Sequence, residues 1–134
     1  SSSYGGNPLA SAAAYTTVRT ILDEGLVENS ARVGALMLER LGTFKEKFPF
    51  VGDVRGKGLL IGMELVKNPR TKERLEKQYT TMLFQECLRN GLIVMGYNPD
   101  IRINPPLVIT EEIALEGIEI MEQAFTRVAN RINI

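Results

Sequence analysis

The first half of the chain carries apolar residues at helical spacing, which predicts two consecutive helices. The first is predicted over residues 8–24, with Asn7 as its N-cap and Pro8 at its first helical position. The second is predicted over residues 26–48 and is ended by Pro49. Its apolar stripe is expected to consist of Val27, Ala31, Gly34, Leu38 and Leu41.

The period then changes to that of short strands separated by turn residues. Strands are predicted at four places, which are residues 51–55, 59–66, 92–96 and 101–104. Turns are predicted at residues 56–58 and 97–100, where glycine, asparagine and proline cluster. In the last strand the period of two places Ile101 and Ile103 on one face and Arg102 on the other.

Two further helices are predicted in the second half of the chain. One spans residues 71–90, with an apolar stripe that ends at Cys87, and the other begins after the N-cap Thr110. The element order indicates an α/β protein of the α+β type, with a small, mostly antiparallel sheet covered by helices. Residues 1–25 are expected to connect this domain, residues 26–134, to another part of a longer protein.

Composition excludes several classes of function. Lysine plus arginine equals aspartate plus glutamate, with 16 of each, so no net charge attracts nucleic acid or an anionic membrane. The chain has no histidine, which excludes serine–histidine and cysteine–histidine catalysis and removes the commonest metal ligand; no metal site is predicted. The single cysteine, Cys87, is expected to be a buried thiol, and a reducing, cytoplasmic location is expected.

Three stretches could carry chemistry, and each has an ordinary structural alternative. Ser3-Tyr4-Gly5-Gly6-Asn7-Pro8 could hold a phosphate at a helix N-terminus, or it could be a tight turn before an N-cap. The stretch 52–58 has two glycines near Lys57, but a strand follows it, so a hairpin-like turn is favoured. Arg102, next to Pro105-Pro106, could bind a carboxylate through two hydrogen bonds, or it could be a plain surface arginine.

Taken together, these stretches resemble the class III aminotransferases of fold type I, the family of ornithine, acetylornithine and 4-aminobutyrate aminotransferases. The resemblance is carried by residues 3–10, 52–59 and 101–107 and covers essentially the whole chain. It implies that the chain is the C-terminal small domain of a pyridoxal phosphate enzyme that transfers an amino group from an amino acid or ω-amino acid to a 2-oxo acid.

The resemblance also assigns residues to roles. It implies that Ser3, Tyr4 and Gly5 contact the cofactor, with the Ser3 hydroxyl reaching the phosphate across a homodimer. Ser3 and Tyr4 replace the threonine and phenylalanine usual in the family. Arg102 matches the arginine that binds a substrate carboxylate. The lysine that forms the Schiff base lies upstream of the serine motif in the family, so the 134 residues alone are expected to be inactive.

Two other functions stay open from the residues alone. A small sheet with an outward arginine could be a stand-alone module that binds an amino acid or another carboxylate without catalysis. The first helix could also be the docking face of an interaction domain. Within the family, residues 64–73 look most like 4-aminobutyrate aminotransferases.

Overall fold

The computed structural model describes residues 3–95 and 100–132, and its elements alternate between helices and short strands. In chain order they are α1 (Pro8–Asp23), α2 (Leu26–Gly42), α3 (Phe44–Lys47), β1 (Val51–Lys57), β2 (Leu60–Asn68), β3 (Glu73–Arg74), α4 (Lys77–Arg89), β4 (Asp100–Ile103) and α5 (Glu111–Ala129). The predicted fold class, a small antiparallel sheet with helices, is confirmed.

The predicted helix N-termini are confirmed at both ends of the chain. The side chain of Asn7 accepts a hydrogen bond from the Ala10 amide at 3.0 Å, and that of Thr110 accepts one from the Ile113 amide at 3.3 Å. Each cap satisfies an amide that has no partner inside its helix. Helix α1 buries none of its residues and packs against α2.

The prediction of one continuous helix over residues 26–48 is wrong. Helix α2 ends at Gly42 and the short α3 begins at Phe44. Between them, the hydroxyl of Thr43 donates back to the Arg40 carbonyl at 2.8 Å, which offers the backbone an alternative to helical hydrogen bonding. The break turns Phe44 and Phe48 into the core.

The predicted apolar stripe of α2 is only partly right. The buried residues of the helix are Val33, Gly34, Met37 and Leu41. Val27 is 57% exposed and Ala31 is also exposed, so the buried face is rotated away from the predicted one. Gly34, which belongs to both the predicted and the observed face, lies against the backbone of the turn between β1 and β2.

Strand β2 is the centre of the sheet, with β1 and β4 antiparallel on its two sides. Its side chains alternate, so Ile61, Met63 and Leu65 face the helices while Gly62 and Glu64 face outward. The turn predicted at residues 56–58 lies later than expected, because β1 continues through Lys57; residues 58–59 connect β1 to β2, with Gly58 at φ 56°.

The helix predicted over residues 71–90 begins later, at Lys77, and the two-residue strand β3 stands in its place. The side-chain oxygen of Asn68 accepts from the Arg70 and Thr71 amides, and Lys72 takes a φ of 56°, which a helix does not permit. These contacts bring β3 back to pair with the end of β2.

The strand predicted over residues 92–96 is also wrong for the part that the structure describes. Only a single bridge, between Met95 and Arg102, is formed there. The Leu92 amide instead donates to the Cys87 carbonyl at 2.9 Å and closes the end of α4. Positions 96–99, which include most of the predicted turn, lie outside the described residues.

The core lies between the inner face of the sheet and helices α2 to α5. Its centre is a cluster of phenylalanine rings with centroids 5.3–5.6 Å apart, formed by Phe44, Phe48, Phe50 and Phe125. Cys87 is fully buried, as predicted, and desolvation together with the charge of Glu86 raises its thiol pKa to about 11.

The tightest contact between helix and sheet generates the first prediction. A Cβ at Gly34 would lie 2.1 Å from the Gly58 carbonyl oxygen, so Gly34→Ala should separate α2 from the hairpin and lower the free energy of unfolding by about 3 kcal/mol. Gly42→Ala is the control in the same helix, because nothing lies within 4 Å of its Cβ position. The control should be neutral or stabilising by up to about 1 kcal/mol. Urea unfolding followed by circular dichroism measures both; equal stabilities would contradict the contact.

Candidate functional site

Arg102 lies in the middle of β4 and points away from the core. The predicted alternation is confirmed, since Ile101 is buried at 2% exposure and Arg102 is exposed. Strand β4 is held on one side by β2, where Arg102 pairs with Gly62, and on the other by the bridge to Met95. A four-residue strand therefore fixes the backbone from which the guanidinium extends.

The surface beside Arg102 is open because its neighbour on β2 is a glycine. On the far side of Gly62 lies Arg55, whose guanidinium donates to Asp53 at 2.8 Å. That hydrogen bond is the main cause that lowers the pKa of the Asp53 carboxyl. Within residues 3–95 and 100–132, Arg102 forms no ion pair, so its guanidinium remains available to an anion.

Arg102 is exposed and lies beside two grooves lined mostly by apolar residues. A groove of about 660 Å³ on the outer face of the sheet includes Leu60 and Met95 together with the acidic Asp100, and a second of about 360 Å³ lies between β4 and α5. Arg102 lines both. Apolar walls reduce solvent screening, which strengthens an ion pair formed between them. The arrangement is suited to a carboxylate attached to an apolar body.

The segment that follows Arg102 is held by a residue that sequence reasoning missed. The side-chain amide of Asn29 donates to the carbonyls of Leu107, at 2.7 Å, and Ile109, at 3.1 Å. Asn29 lies 78 and 80 positions earlier in the chain. Its one local signal is an amide side chain near the start of a helix, which does not identify distant partners.

The Ser3–Gly6 stretch forms an exposed turn that leads directly into α1. Asn7 closes it, since its side-chain nitrogen donates to the Tyr4 carbonyl at 2.7 Å. Gly6 has a φ of 78° and nothing within 4 Å of its Cβ position. In the described part of the chain, the amides of Gly5 and Gly6 donate to no protein acceptor.

These features fit a phosphate group chemically. They supply a serine hydroxyl, two available amides and a helix N-terminus, all of which favour an anion. The turn and the cap are confirmed, and the phosphate role stays a prediction. This turn precedes α1 whereas Arg102 lies on β4, and no hydrogen bond in the described part of the chain connects them.

The six lysines of the chain are exposed or paired with carboxylates. Lys45, Lys47 and Lys67 lie within 4.0 Å of Asp53, Glu122 and Glu76, respectively. The other three, Lys57, Lys72 and Lys77, are exposed.

Among the residues that the structure describes, no group of three or more acidic or thiol side chains is placed to hold a metal ion. None of the described helices has the length and hydrophobicity needed to cross a bilayer.

Comparisons with known proteins show the family of this chain. The family model "Aminotransferase class-III" matches residues 1–125. An alanine/serine racemase of Pyrococcus horikoshii is 42% identical over 121 residues, which cover 88% of this chain and 25% of that protein. A probable 4-aminobutyrate aminotransferase of Bacillus subtilis is 36% identical and is matched over 89% of this chain and 28% of its own length.

A solved structure matches the fold closely. It is an amine transaminase from an uncultivated Pseudomonas species in the PLP-bound form, with a TM-score of 0.89 and 36% sequence identity. The match covers 95% of this chain and 29% of that one. The chain therefore spans between a quarter and three tenths of the length of these relatives.

The Asn7 contacts generate the second prediction. Asn7→Ala removes both the α1 cap and the bond that closes the Ser3–Gly6 turn, at a cost of about 1 kcal/mol. Since α1 buries no residue, the loss should be local: amide hydrogen exchange in the first turn of α1 should accelerate about fivefold while global unfolding is unchanged. Asn130→Ala, at the end of α5, is the control and should leave α1 unaffected. A global loss of stability would show that α1 is more tightly integrated than its exposure indicates.

Proposed function

This chain belongs to the class III aminotransferase family, and on that premise we propose that the protein containing it transfers an amino group from an amino acid to a 2-oxo acid with pyridoxal phosphate as cofactor. The observation that carries the proposal is Arg102. Its side chain points outward from a short strand, forms no ion pair in the described chain and lines two mostly apolar grooves. Those are the properties of a group that binds a substrate carboxylate.

The roles proposed for this chain are binding and orientation. When bound, pyridoxal phosphate supplies an electron sink for charge that develops on the substrate carbon bearing the amino group. Arg102 would hold the substrate carboxylate, and Ser3, Tyr4 and Gly5 would hold the phosphate end of the cofactor. The family's lysine motif is not among the 134 residues.

The proposal includes an arrangement of domains and subunits. Residues 26–134 would form the small domain, and residues 1–25 would connect it to a large domain that carries the lysine. The Ser3 turn would serve the site of a second subunit in a cytoplasmic homodimer. The exposure of this turn supports that arrangement.

The donor is proposed to be an amino acid or ω-amino acid of the 4-aminobutyrate type. The similarity to a probable 4-aminobutyrate aminotransferase supports it. A carboxylate bound at Arg102 would leave the amino end of such a donor to extend away from this chain, toward the cofactor.

Amino acid racemisation is a second candidate, favoured by the 42% identity to an alanine/serine racemase. Both reactions begin with removal of a proton beside the amino group, and the same arginine would orient the carboxylate. The two reactions differ in whether they require a 2-oxo acid as the amino acceptor. An aminotransferase consumes a single enantiomer only when a 2-oxo acid is present, whereas a racemase inverts it without one. Chiral chromatography of both incubations separates the two.

The third prediction concerns cofactor attachment to the 134-residue chain. Pyridoxal phosphate followed by borohydride should give only scattered, substoichiometric labelling of surface lysines, because all six are exposed or paired with carboxylates. Peptide mapping by mass spectrometry measures the adducts. In the complete protein the same treatment should label one lysine stoichiometrically, outside these residues. A single stoichiometric adduct at a lysine of this chain would contradict the proposed division of roles.

The fourth prediction concerns Arg102 in the complete protein. Arg102→Ala should raise KM for a carboxylate-bearing donor by about 10- to 100-fold, since a charge-assisted hydrogen bond contributes roughly 1.5–3 kcal/mol. An amine donor without a carboxylate should be little affected. Arg70→Ala is the matched control, because Arg70 is an exposed arginine beyond the opposite end of β2. Steady-state kinetics with both donors measure the effect; an equal loss for both would exclude a role in carboxylate binding.

A further inference from the structure

The segment from Asn104 to Thr110 joins the arginine strand to α5 and forms few hydrogen bonds of its own. Pro105 and Pro106 have no amide to donate. The structure gives one backbone bond within it, from the Ile109 amide to the Pro106 carbonyl at 3.0 Å. The position of this segment therefore depends on contacts from outside it.

Asn29, in the first turns of α2, supplies such a contact. Its half-buried side chain donates one hydrogen to the Leu107 carbonyl and the other to the Ile109 carbonyl. Both donors of the amide are used on one short segment, as in a clamp. The clamp therefore connects α2 to the backbone segment that follows β4.

The direction of the Asn29 amide is itself fixed. Arg32 donates to its side-chain oxygen at 2.8 Å, so the amide nitrogen faces the two carbonyls. The other terminal nitrogen of Arg32 pairs with Glu111, the first residue of α5. Glu111, Arg32 and Asn29 thus connect the start of α5 to α2 and to the segment before α5.

We propose that Asn29 is a positioning residue for Arg102, and that it sets the affinity of the site for the substrate carboxylate. The inference rests on the proposed function, in which Arg102 binds that carboxylate. Strand β4 is four residues long and pairs with β2 as far as Ile103, but only a single bridge holds its outer edge, so the segment between β4 and α5 adds a second restraint at its C-terminal end. The two prolines restrict the backbone between Arg102 and the clamped carbonyls and transmit the restraint.

The expected signature is a change in KM without a comparable change in kcat. In the complete protein, Asn29→Ala should raise KM for a carboxylate-bearing donor about 5- to 10-fold and leave kcat within about twofold, because small errors in the placement of a binding group weaken substrate binding. An amine donor without a carboxylate should show no change. Asn29→Asp, which keeps the shape but removes both donors, should behave like Asn29→Ala.

The deciding experiment is a double-mutant cycle with Arg102→Ala. If Asn29 acts through Arg102, Asn29→Ala should have no further effect on KM once Arg102 is alanine. Asn68→Ala is the matched control, since Asn68 also binds backbone atoms of a turn, at the far end of β2, and should leave KM unchanged. Amide exchange over residues 107–112 should be faster in Asn29→Ala than in Asn68→Ala.

The outcomes distinguish this inference from the proposed function. Additive effects of Asn29→Ala and Arg102→Ala, or an equal loss with the carboxylate-free amine, overturn the positioning role and leave the function standing. An inactive wild-type protein, or an unchanged KM in Arg102→Ala, overturns the function and the inference together. Should Asn29→Ala fail to fold, Arg32→Ala removes the anchor of the amide from an exposed position and should raise KM in the same direction by a smaller factor.

Discussion

The contact of two backbones, at Gly34 of α2 and Gly58 of the hairpin turn, determines how the helices lie on the sheet. No side chain separates them, and the Ser30 hydroxyl adds a hydrogen bond from the Leu59 amide at 3.2 Å. Because β2 starts immediately after this turn and is the central strand, the contact fixes the height and rotation of the whole sheet over α2. A helix held this close cannot shift without moving the hairpin.

The geometry of the candidate site depends on this contact between α2 and the hairpin turn. Strand β2 packs its inner face on the helices, and its outer face offers Gly62, so that the backbone of β4 is rigid while the space beside Arg102 stays open. Helix α2 contributes in two ways. One of its faces packs against the hairpin turn, and Asn29, near its N-terminus, binds the segment before α5. The candidate site therefore depends on residues spread from position 29 to position 109, although only Arg102 is proposed to bind the substrate carboxylate.

Features governed by local rules could be predicted from the sequence. The caps at Asn7 and Thr110 and the alternation around Arg102 depend on residues within a few positions of each other, and all were confirmed. Features governed by distant contacts could not. The close contact of α2 at Gly34 is with a glycine 24 positions later, and the clamp by Asn29 has partners 78 and 80 positions away. Strand β3 forms because Asn68 and Lys72 make a turn, and the spacing of apolar residues along the chain does not predict that turn.

The burial of Cys87 has a practical consequence for spectroscopy. Thiol reagents attack the thiolate, and a fully buried thiol with a pKa of about 11 presents almost none of it near neutral pH. Cys87 therefore does not react with such reagents while the fold is intact. A cysteine introduced on the exposed surface of α1 would be the only reactive thiol in the chain, so a fluorophore or spin label could report on that helix without any change to the native core.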